Sequence, residues 1–543
     1  MKLRNVVKKN SYYDSATLML LSSKVGEHIG STKNVAVMMA SDMNKDIMRA
    51  SGLLAEEGAA ASPNDLVFAI RAEDDAAIDA AMALAEEILN SRNTKMEQRE
   101  TDVVKTVEDA VARVDGGKLA VVSLPGKFAA REVKKLLKAD CNVLLFSDNV
   151  SCEEENQLKD LALEKGLLMM GPDCGTAVIN GVGLGFANKL RRGNIGLAAA
   201  SGTGLQEVMT LISNFGGGVS QALGTGGRDL KEVIGGKMMG LCVQMLQADA
   251  ATEVIVVVSK PPAPSVMERM VEQLKNTGKP TVVCFLGGKD VVDSGNLHFV
   301  HTLEEAACKA LELAGTGRPE ALGSGHKELP ALAAELKSQL GPEQKYIRGL
   351  YCGGTLAYES MLLMGEKLGD VYSNIALKQT LVLDGTAPSV GHTVLDLGDD
   401  TFTVGKPHPM IEPSLRRERL LQEALDPETA VILLDVEIGY GSHADPASVV
   451  AGEIAQAKAE LDAAGRQVVS LPLSVVPMKI SRIMPPRRPC WRAWAWWCWN
   501  PMPRPPNWPS APFPDEGGIP WKTSCLKRRC RSSIWAYLDF SRV

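Results

Sequence analysis

The chain has 543 residues, a formal net charge of -6, and is 45% hydrophobic and 23% charged. A chain of this length has room for roughly three or four domains, each with its own core. The acidic balance argues against a nucleic-acid or membrane-surface partner, and no apolar run nears the roughly 20 residues a bilayer span needs, so a cytoplasmic protein is expected.

The N-terminus, Met1-Lys2-Leu3-Arg4-Asn5, is charged and lacks the long apolar segment of a signal peptide. Residues 1–100 alternate apolar strands (Val35 to Met39, Leu66 to Ile70) with helices (Asn44 to Leu54, Asp74 to Leu89), which predicts a small α/β module. Residues 101–192 continue the alternation. Strand Leu119 to Leu124 runs into Pro125-Gly126 and a helix, and strand Leu167 to Met170 runs into the loop Gly171-Pro172-Asp173-Cys174-Gly175. Those lengths predict a doubly wound parallel sheet. Gly126 stands alone, without the full Gly-x-Gly-x-x-Gly, so a hydride-transfer cofactor is not indicated.

Residues 193–314 predict a second such sheet, 315–344 a linker rich in Gly, Pro and charge, and 345–470 a third sheet. Two corners in these sheets look alike. Ala200-Ser201-Gly202-Thr203 follows an apolar strand and opens a helix containing Glu207; Cys352-Gly353-Gly354-Thr355 does the same with Glu359. The shared Gly-Thr-x-x-x-Glu pattern puts small residues and free N–H groups at a helix N-terminus, where the dipole favours an anion. Two ordinary Thr-capped helices would give the same pattern. A third turn, Gly224-Thr225-Gly226-Gly227-Arg228-Asp229, adds an arginine able to clamp a phosphate or carboxylate in two-pronged fashion.

The first seven of the eleven cysteines (141, 152, 174, 242, 284, 308 and 352) are scattered without Cys-x-x-Cys spacing, so reduced core thiols are expected of them and no zinc site. Lys260-Pro261-Pro262-Ala263-Pro264 reads as a stiff strand-ending connection. His408, held between Pro407 and Pro409, is a candidate general acid/base or oxyanion contact. His443 and Asp445 follow a buried strand at its carboxyl end, where ligands bind in open α/β sheets. Lys406, Arg416 and Arg417 form either a solvated basic face or part of that site.

From about residue 471 to 543 no strand or helix period survives, and all eight tryptophans fall between Trp491 and Trp535. An out-of-frame read is expected: shifted by one nucleotide, Met502 to Pro509 can decode as Asn-Ala-Gln-Ala-Ala-Glu-Leu-Ala, a good helix. The alternative is a disordered basic tail or an aromatic binding segment.

The ordered motifs Gly171-Pro172-Asp173-Cys174, Arg192-Gly193-Asn194-Ile195-Gly196, Ser201-Gly202-Thr203 with Glu207, Gly224-Thr225-Gly226-Gly227 and Gly278-Lys279-Pro280-Thr281 resemble the α subunit of succinyl-CoA synthetase. With the second Gly-Gly-Thr corner, the chain to about Ser470 is similar to the acyl-CoA synthetase-like FdrA branch of that superfamily. The resemblance implies an N-terminal α/β module, a Rossmann-like CoA-binding-type domain with Gly126, Gly171 and Pro172 at the cofactor, and two flavodoxin-like domains whose corners hold phosphate. It implies Glu207 and Glu359 beside the reacting group, and a small-molecule acid as substrate. The chain departs from the family at the phosphohistidine loop, where Gly287-Gly288-Lys289-Asp290-Val291 carries no histidine. It also has no ATP-grasp domain and no Gly-x-x-x-x-Gly-Lys-Ser/Thr loop, so a nucleotide with Mg is expected only through a partner subunit. Three functions remain open: a CoA-dependent acid–thiol ligase component, a phosphate-dependent transferase acting on a carbamoyl substrate, and a non-catalytic regulatory subunit.

Overall fold

A computed structural model describes residues 2–97, 104–317, 334–403, 407–463 and 469–475, less positions 12, 14, 30–33, 105, 289–291, 335–336 and 339. The tail from 476 on, with its expected change of frame, and Lys406 lie outside the described residues. The chain divides into two compact units, Met1–Ala110 and Val111–Val543.

In the first unit, β1 (Lys2–Lys8), α1 (Ser15–His28), β2 (Val35–Met39), α2 (Asp42–Ala50), α3 (Glu56–Ala60), β3 (Leu66–Ala72) and α4 (Asp75–Glu97) follow in order. The sheet is antiparallel throughout, β1-β3-β2, with β3 in the middle and almost wholly buried. Leu66, Phe68 and Ile70 pack with Ile78, Ala81 and Ala85 of α4, which explains the Ala-rich helix as a core face.

The short helix α5 (Val107–Ala112) straddles the division at Ala110. The second unit then runs through β4 (Leu119–Val122), α6 (Gly126–Lys138), β5 (Asn142–Leu145), α7 (Cys152–Glu164) and β6 (Met169–Met170), whose strands form a three-stranded parallel sheet. The next strands, β7 (Thr176–Ile179) and β8 (Val182–Gly185), correct the expected boundary at 192. They form a hairpin that pairs antiparallel with the following sheet. Its turn, Asn180-Gly181, has both residues at positive φ, the hairpin signature that the sequence carried.

That following sheet contains β9 (Arg192–Ala199), α8 (Gly202–Asn214), β10 (Val219–Gly224), α9 (Lys237–Ala248), β11 (Val254–Ser259), α10 (Pro264–Lys275), β12 (Thr281–Phe285), β13 (Leu297–Val300) and α11 (Leu303–Leu313). Its strand order is β13-β12-β11-β9-β10-β7-β8. Without the hairpin this is the 2-1-3-4-5 order of flavodoxin-like sheets, with the switch point between β9 and β11.

The last sheet contains β14 (Tyr346–Tyr351), α12 (Gly354–Leu368), β15 (Val371–Tyr372), β16 (His392–Asp396), α13 (Asp400–Thr403), α14 (Arg417–Leu425), β17 (Thr429–Glu437), α15 (Pro446–Ala463) and β18 (Val469–Val475). It is parallel but ordered β15-β16-β14-β17-β18, so the flavodoxin-like order expected here is corrected to 2-3-1-4-5. β18 also carries the third sheet past the expected end at 470.

One apolar core spans both large sheets. Leu205, Val208, Met209 and Ile212 of α8 and Leu356, Ala357, Met361 and Met364 of α12 belong to it, together with Leu303, Ala307 and Leu311 of α11. Burying most of α8 and one face of α12 in a common core fixes their axes relative to each other. Their N-terminal ends are thereby held at one place.

Candidate functional site: two helix N-termini face to face

Each corner forms because a buried strand of small and apolar residues stops at a residue in extended backbone, after which the helix begins. Ser201 is the cap of α8 (φ -160, ψ 115), and its Oγ accepts the Gly204 N–H at 3.0 Å. Gly353 caps α12 in a similar conformation but has no side chain to give. Asp435 of β17 substitutes for it, one oxygen accepting the Gly353 N–H at 2.7 Å and the other the Cys352 N–H at 2.8 Å. Neither threonine is a cap, which corrects the simplest reading of the pattern.

The threonines cross over instead. Thr355 Oγ1 lies 2.7 Å from Ser201 Oγ, the cap of the opposite helix. Reciprocally, a Cβ placed on Gly353 would stand 2.9 Å from Thr203 Cγ2 and 3.0 Å from Thr203 Oγ1. Each Gly-Thr corner therefore seats its threonine on the other's cap. Ser201 and Thr355 are buried, Thr203 and Gly354 half-buried, and Gly202 is exposed with no neighbour within 4 Å of where a Cβ would stand. The open side of the junction is at Gly202.

The carboxyl ends of β16, β14 and β17 bring further groups to the same place. A Cβ on Gly354 would lie 2.4 Å from Asp396 Oδ2, and one on Gly353 2.7 Å from Glu437 Oε1. Burial pushes the Asp396 carboxyl up to about 7, against the pull of Lys260, and pushes Glu437 well above the usual range with Asp435 adding to the effect. Lys260, at the end of β11, sets its ammonium 5.2 Å from the Tyr358 ring centre, and burial lowers its pKa. Lys260 and Ser201 thus flank the switch point of the first large sheet. The α8 end is open to solvent at Gly202, whereas the α12 end is lined by carboxyls.

Among the described residues, Cys352 Sγ, Asp435 and Glu437 offer ligating atoms within 4.8 Å of one another. The donor set favours protons over an ion. Asp435 Oδ1 accepts from Cys352 N, lies 3.1 Å from the Cys352 thiol and accepts from Arg416 Nη1 at 3.0 Å, while Oδ2 holds Gly353 N. The guanidinium already supplies the countercharge, and little lone-pair capacity is left on Asp435. Arg416 is 2% exposed, so the solvated basic face expected around it is corrected to a buried ion pair.

The remaining candidates fall into three groups. His408 reaches the junction: a Cβ on Gly398 would meet its Nε2 at 2.5 Å and Cys352 O at 2.7 Å, and its ring centre lies 6.3 Å from that of Phe186. Its Nδ1 accepts the Met410 N–H at 3.1 Å, and burial lowers its pKa to about 4, so it is a neutral imidazole. His443 sits one loop away. Its N–H donates to Met410 O, and its Nδ1 accepts the Asp445 N–H at 3.0 Å.

Glu207 and Glu359 lie deeper, on the helices rather than at their open ends. Glu359 accepts the Leu303 N–H of α11 at 2.8 Å, and burial, with Glu207 nearby, raises its carboxyl to about 7.

The third glycine-rich turn is corrected. It does not open directly on a helix; α9 begins only at Lys237, and Asp229 occupies that N-terminus by accepting the Met238 and Met239 N–H groups. Arg228 is engaged with Glu155 at 2.9 Å and Val150 O at 2.7 Å, and a Cβ on Gly226 would stand 2.4 Å from Pro172 O; Gly227 has no such crowding. The same packing accounts for Gly126 and Gly171, where a Cβ would meet Asp148 O at 2.3 Å and Leu145 O at 2.2 Å, while Pro172 is buried beside them.

Residues 350–472 match the CoA-ligase family model, and residues 1–105 match a model described as AllF, heavy metal-associated domain. The latter stretch contains no cysteine and one histidine, His28, so it lacks the thiolates that hold soft metals. The α subunit of ADP-forming succinate–CoA ligase from Aquifex aeolicus is 26% identical over 171 residues, 30% of this chain and 54% of that one. The dinucleotide-forming acetyl-coenzyme A synthetase 1 of Ca. Korarchaeum cryptofilum, in its apo form, is 15% identical with a TM-score of 0.31, over 67% of this chain and 76% of that one. Residues 350–472 are thus CoA-ligase-like, and part of the chain is similar to succinate–CoA ligase α subunits. More narrowly, the chain belongs to the family of Escherichia coli (strain K12) YahF, to which it is 47% identical over 473 residues, 87% of this chain and 91% of that one.

Proposed function

We propose that this chain is the acyl-transfer subunit of an acid–thiol ligase-type enzyme, in the FdrA branch of the superfamily. The phosphate of an acyl phosphate sits at the open α8 N-terminus, against Gly202 and Thr203, with the Gly354 and Thr355 end of α12 facing it. CoA lies on the domain of β4, β5 and β6, and its thiol attacks the acyl carbon; the C–S bond forms as the C–O bond to phosphate breaks. The thiol proton leaves with the phosphate, so atoms and charge balance. Oriented N–H groups stabilise the developing charge without reorganisation. A nucleotide with Mg is supplied by a partner subunit.

The observation that carries this reading is the reciprocal seating of the two corners, Thr355 on Ser201 and Thr203 on Gly353. Calorimetry with CoA tests it: binding supports a ligase, and no binding at millimolar CoA removes it.

A second reading has its own support. The loop after β12 carries no histidine to shuttle phosphate, and the α12 end is lined by Asp396 and Glu437, hydrogen-bonding partners for an N–H-bearing substrate. In that case the chain transfers a carbamoyl group to or from phosphate without CoA. Phosphate-dependent turnover of a carbamoyl compound with the partner chains present, and without CoA, supports it. No turnover under either condition leaves a regulatory subunit.

A further inference from the structure

We infer that Glu437 is a further ligand-binding group of this site, meeting the bound anion as a neutral carboxylic acid that donates a hydrogen bond from Oε1. The inference rests on the anion site proposed above, but not on which acyl or carbamoyl group is transferred. Glu437 ends β17 and is 2% exposed; its carboxyl shares a hydrogen bond with Asp435, and no N–H or hydroxyl of the described residues donates to its buried Oε1. A buried polar atom left unpaired is costly, so such an atom beside a candidate site marks the place of a missing partner. Oε1 points into the seam between the corners: the position a Gly353 Cβ would take is 2.7 Å from Oε1 and 3.0 Å from Thr203 Oγ1. The half-buried Thr203 in turn adjoins the exposed Gly202. The other oxygen, Oε2, accepts from the Cys352 thiol at 3.0 Å.

The surroundings keep the group neutral. Asp435, its neighbour on β17, takes the charge of Arg416 from the segment before α14, and Cys352 from the end of β14 faces the same carboxyls. Asp396 of β16, His408 and Glu453 of α15 stand behind these partners. Only one positive charge serves the pair of acids, and desolvation disfavours a second negative one. A carboxylic acid held neutral in this way donates a hydrogen bond where a carboxylate would repel the ligand. Anion affinity is therefore full while Glu437 is protonated and falls about tenfold per pH unit once pH rises past its pKa.

Sulfate, which does not itself titrate between about pH 5 and 9, is the probe, with isothermal calorimetry on the full chain. The wild type should bind sulfate with an affinity that falls as pH rises. Glu437→Gln, which keeps a donor and cannot ionise, should bind as the wild type does at low pH and lose the decline. Glu437→Leu should bind at least about tenfold more weakly at low pH. A Glu437→Gln variant that retains the wild-type pH dependence, or a folded Glu437→Leu variant of wild-type affinity, overturns the assignment. If the wild type binds neither sulfate nor phosphate at any pH, the anion site itself falls, and this inference with it. Should Glu437→Leu fail to fold, the Gln variant alone decides.

Discussion

Replacing Gly353 by alanine tests whether the two corners are closed on each other. The cap has φ -104 and ψ 102, open to any residue, so backbone strain plays no part. The new methyl would meet Glu437 Oε1 at 2.7 Å and Thr203 at 2.9 and 3.0 Å, each well inside van der Waals contact. Overpacking of this kind costs about 1–3 kcal/mol. Spreading the corners also strains the 2.7 Å Ser201–Thr355 bond, a further loss of about 1 kcal/mol. Gly353→Ala should therefore lose about 2–4 kcal/mol in urea unfolding, followed by circular dichroism. Gly202→Ala is the counterpart. Nothing lies within 4 Å of its Cβ position, so stability should hold to within about 0.5 kcal/mol. The same methyl faces the open side and should weaken sulfate binding. Equal stability of the two variants would refute the closed junction.

Two further outcomes follow from the interior. Lys159 is fully buried and bonds Glu155 at 2.8 Å, Asp229 at 2.7 Å and Thr225 O at 3.1 Å, so it ties α7 to the turn before α9. Lys159→Met takes the shared ammonium from two buried carboxylates, leaving Glu155 with Arg228 alone and Asp229 with the Met238 and Met239 N–H groups, and should cost about 3–5 kcal/mol in the same unfolding assay; a loss below about 1 kcal/mol would count against the network. Glu359 is raised to about 7 in the fold from an ordinary value of 4.5, so the unfolded chain gives up its proton first. Stability should then fall as pH rises from about 4.5 to 7, and Glu359→Gln should flatten that slope. An unchanged slope would contradict the burial of this carboxyl.

Much of the architecture was legible because parallel strands buried on both faces read as unbroken apolar runs, as Val254 to Val258 does, and the helices between them keep their period. The paired corners were legible because the same Gly-Thr-x-x-x-Glu spacing recurs after an apolar strand in each sheet. The hairpin at 176–185 went unread although Asn180-Gly181 marked it, since its strands are too short for alternation to stand out. The order of the last sheet was hidden because crossover length does not say on which side a strand is added. Arg416 looked solvated because its partner, Asp435, is distant in sequence, and Lys260 looked like a turn residue beside its prolines. Glu437 carried one usable signal, an acid at the carboxyl end of a mostly apolar strand. Nothing in the sequence indicated that its neighbour Asp435 would take up the N–H groups of the second corner.

The central claim is that an anion is held where the N-termini of α8 and α12 meet. Diffraction from crystals of the full chain grown with phosphate tests it directly. The account predicts a tetrahedral anion at the Gly202 side of the junction, within about 3 Å of the Gly202 and Thr203 N–H groups and reached by Glu437. Phosphate bound only elsewhere, with this junction filled by side chains or water alone, would contradict it.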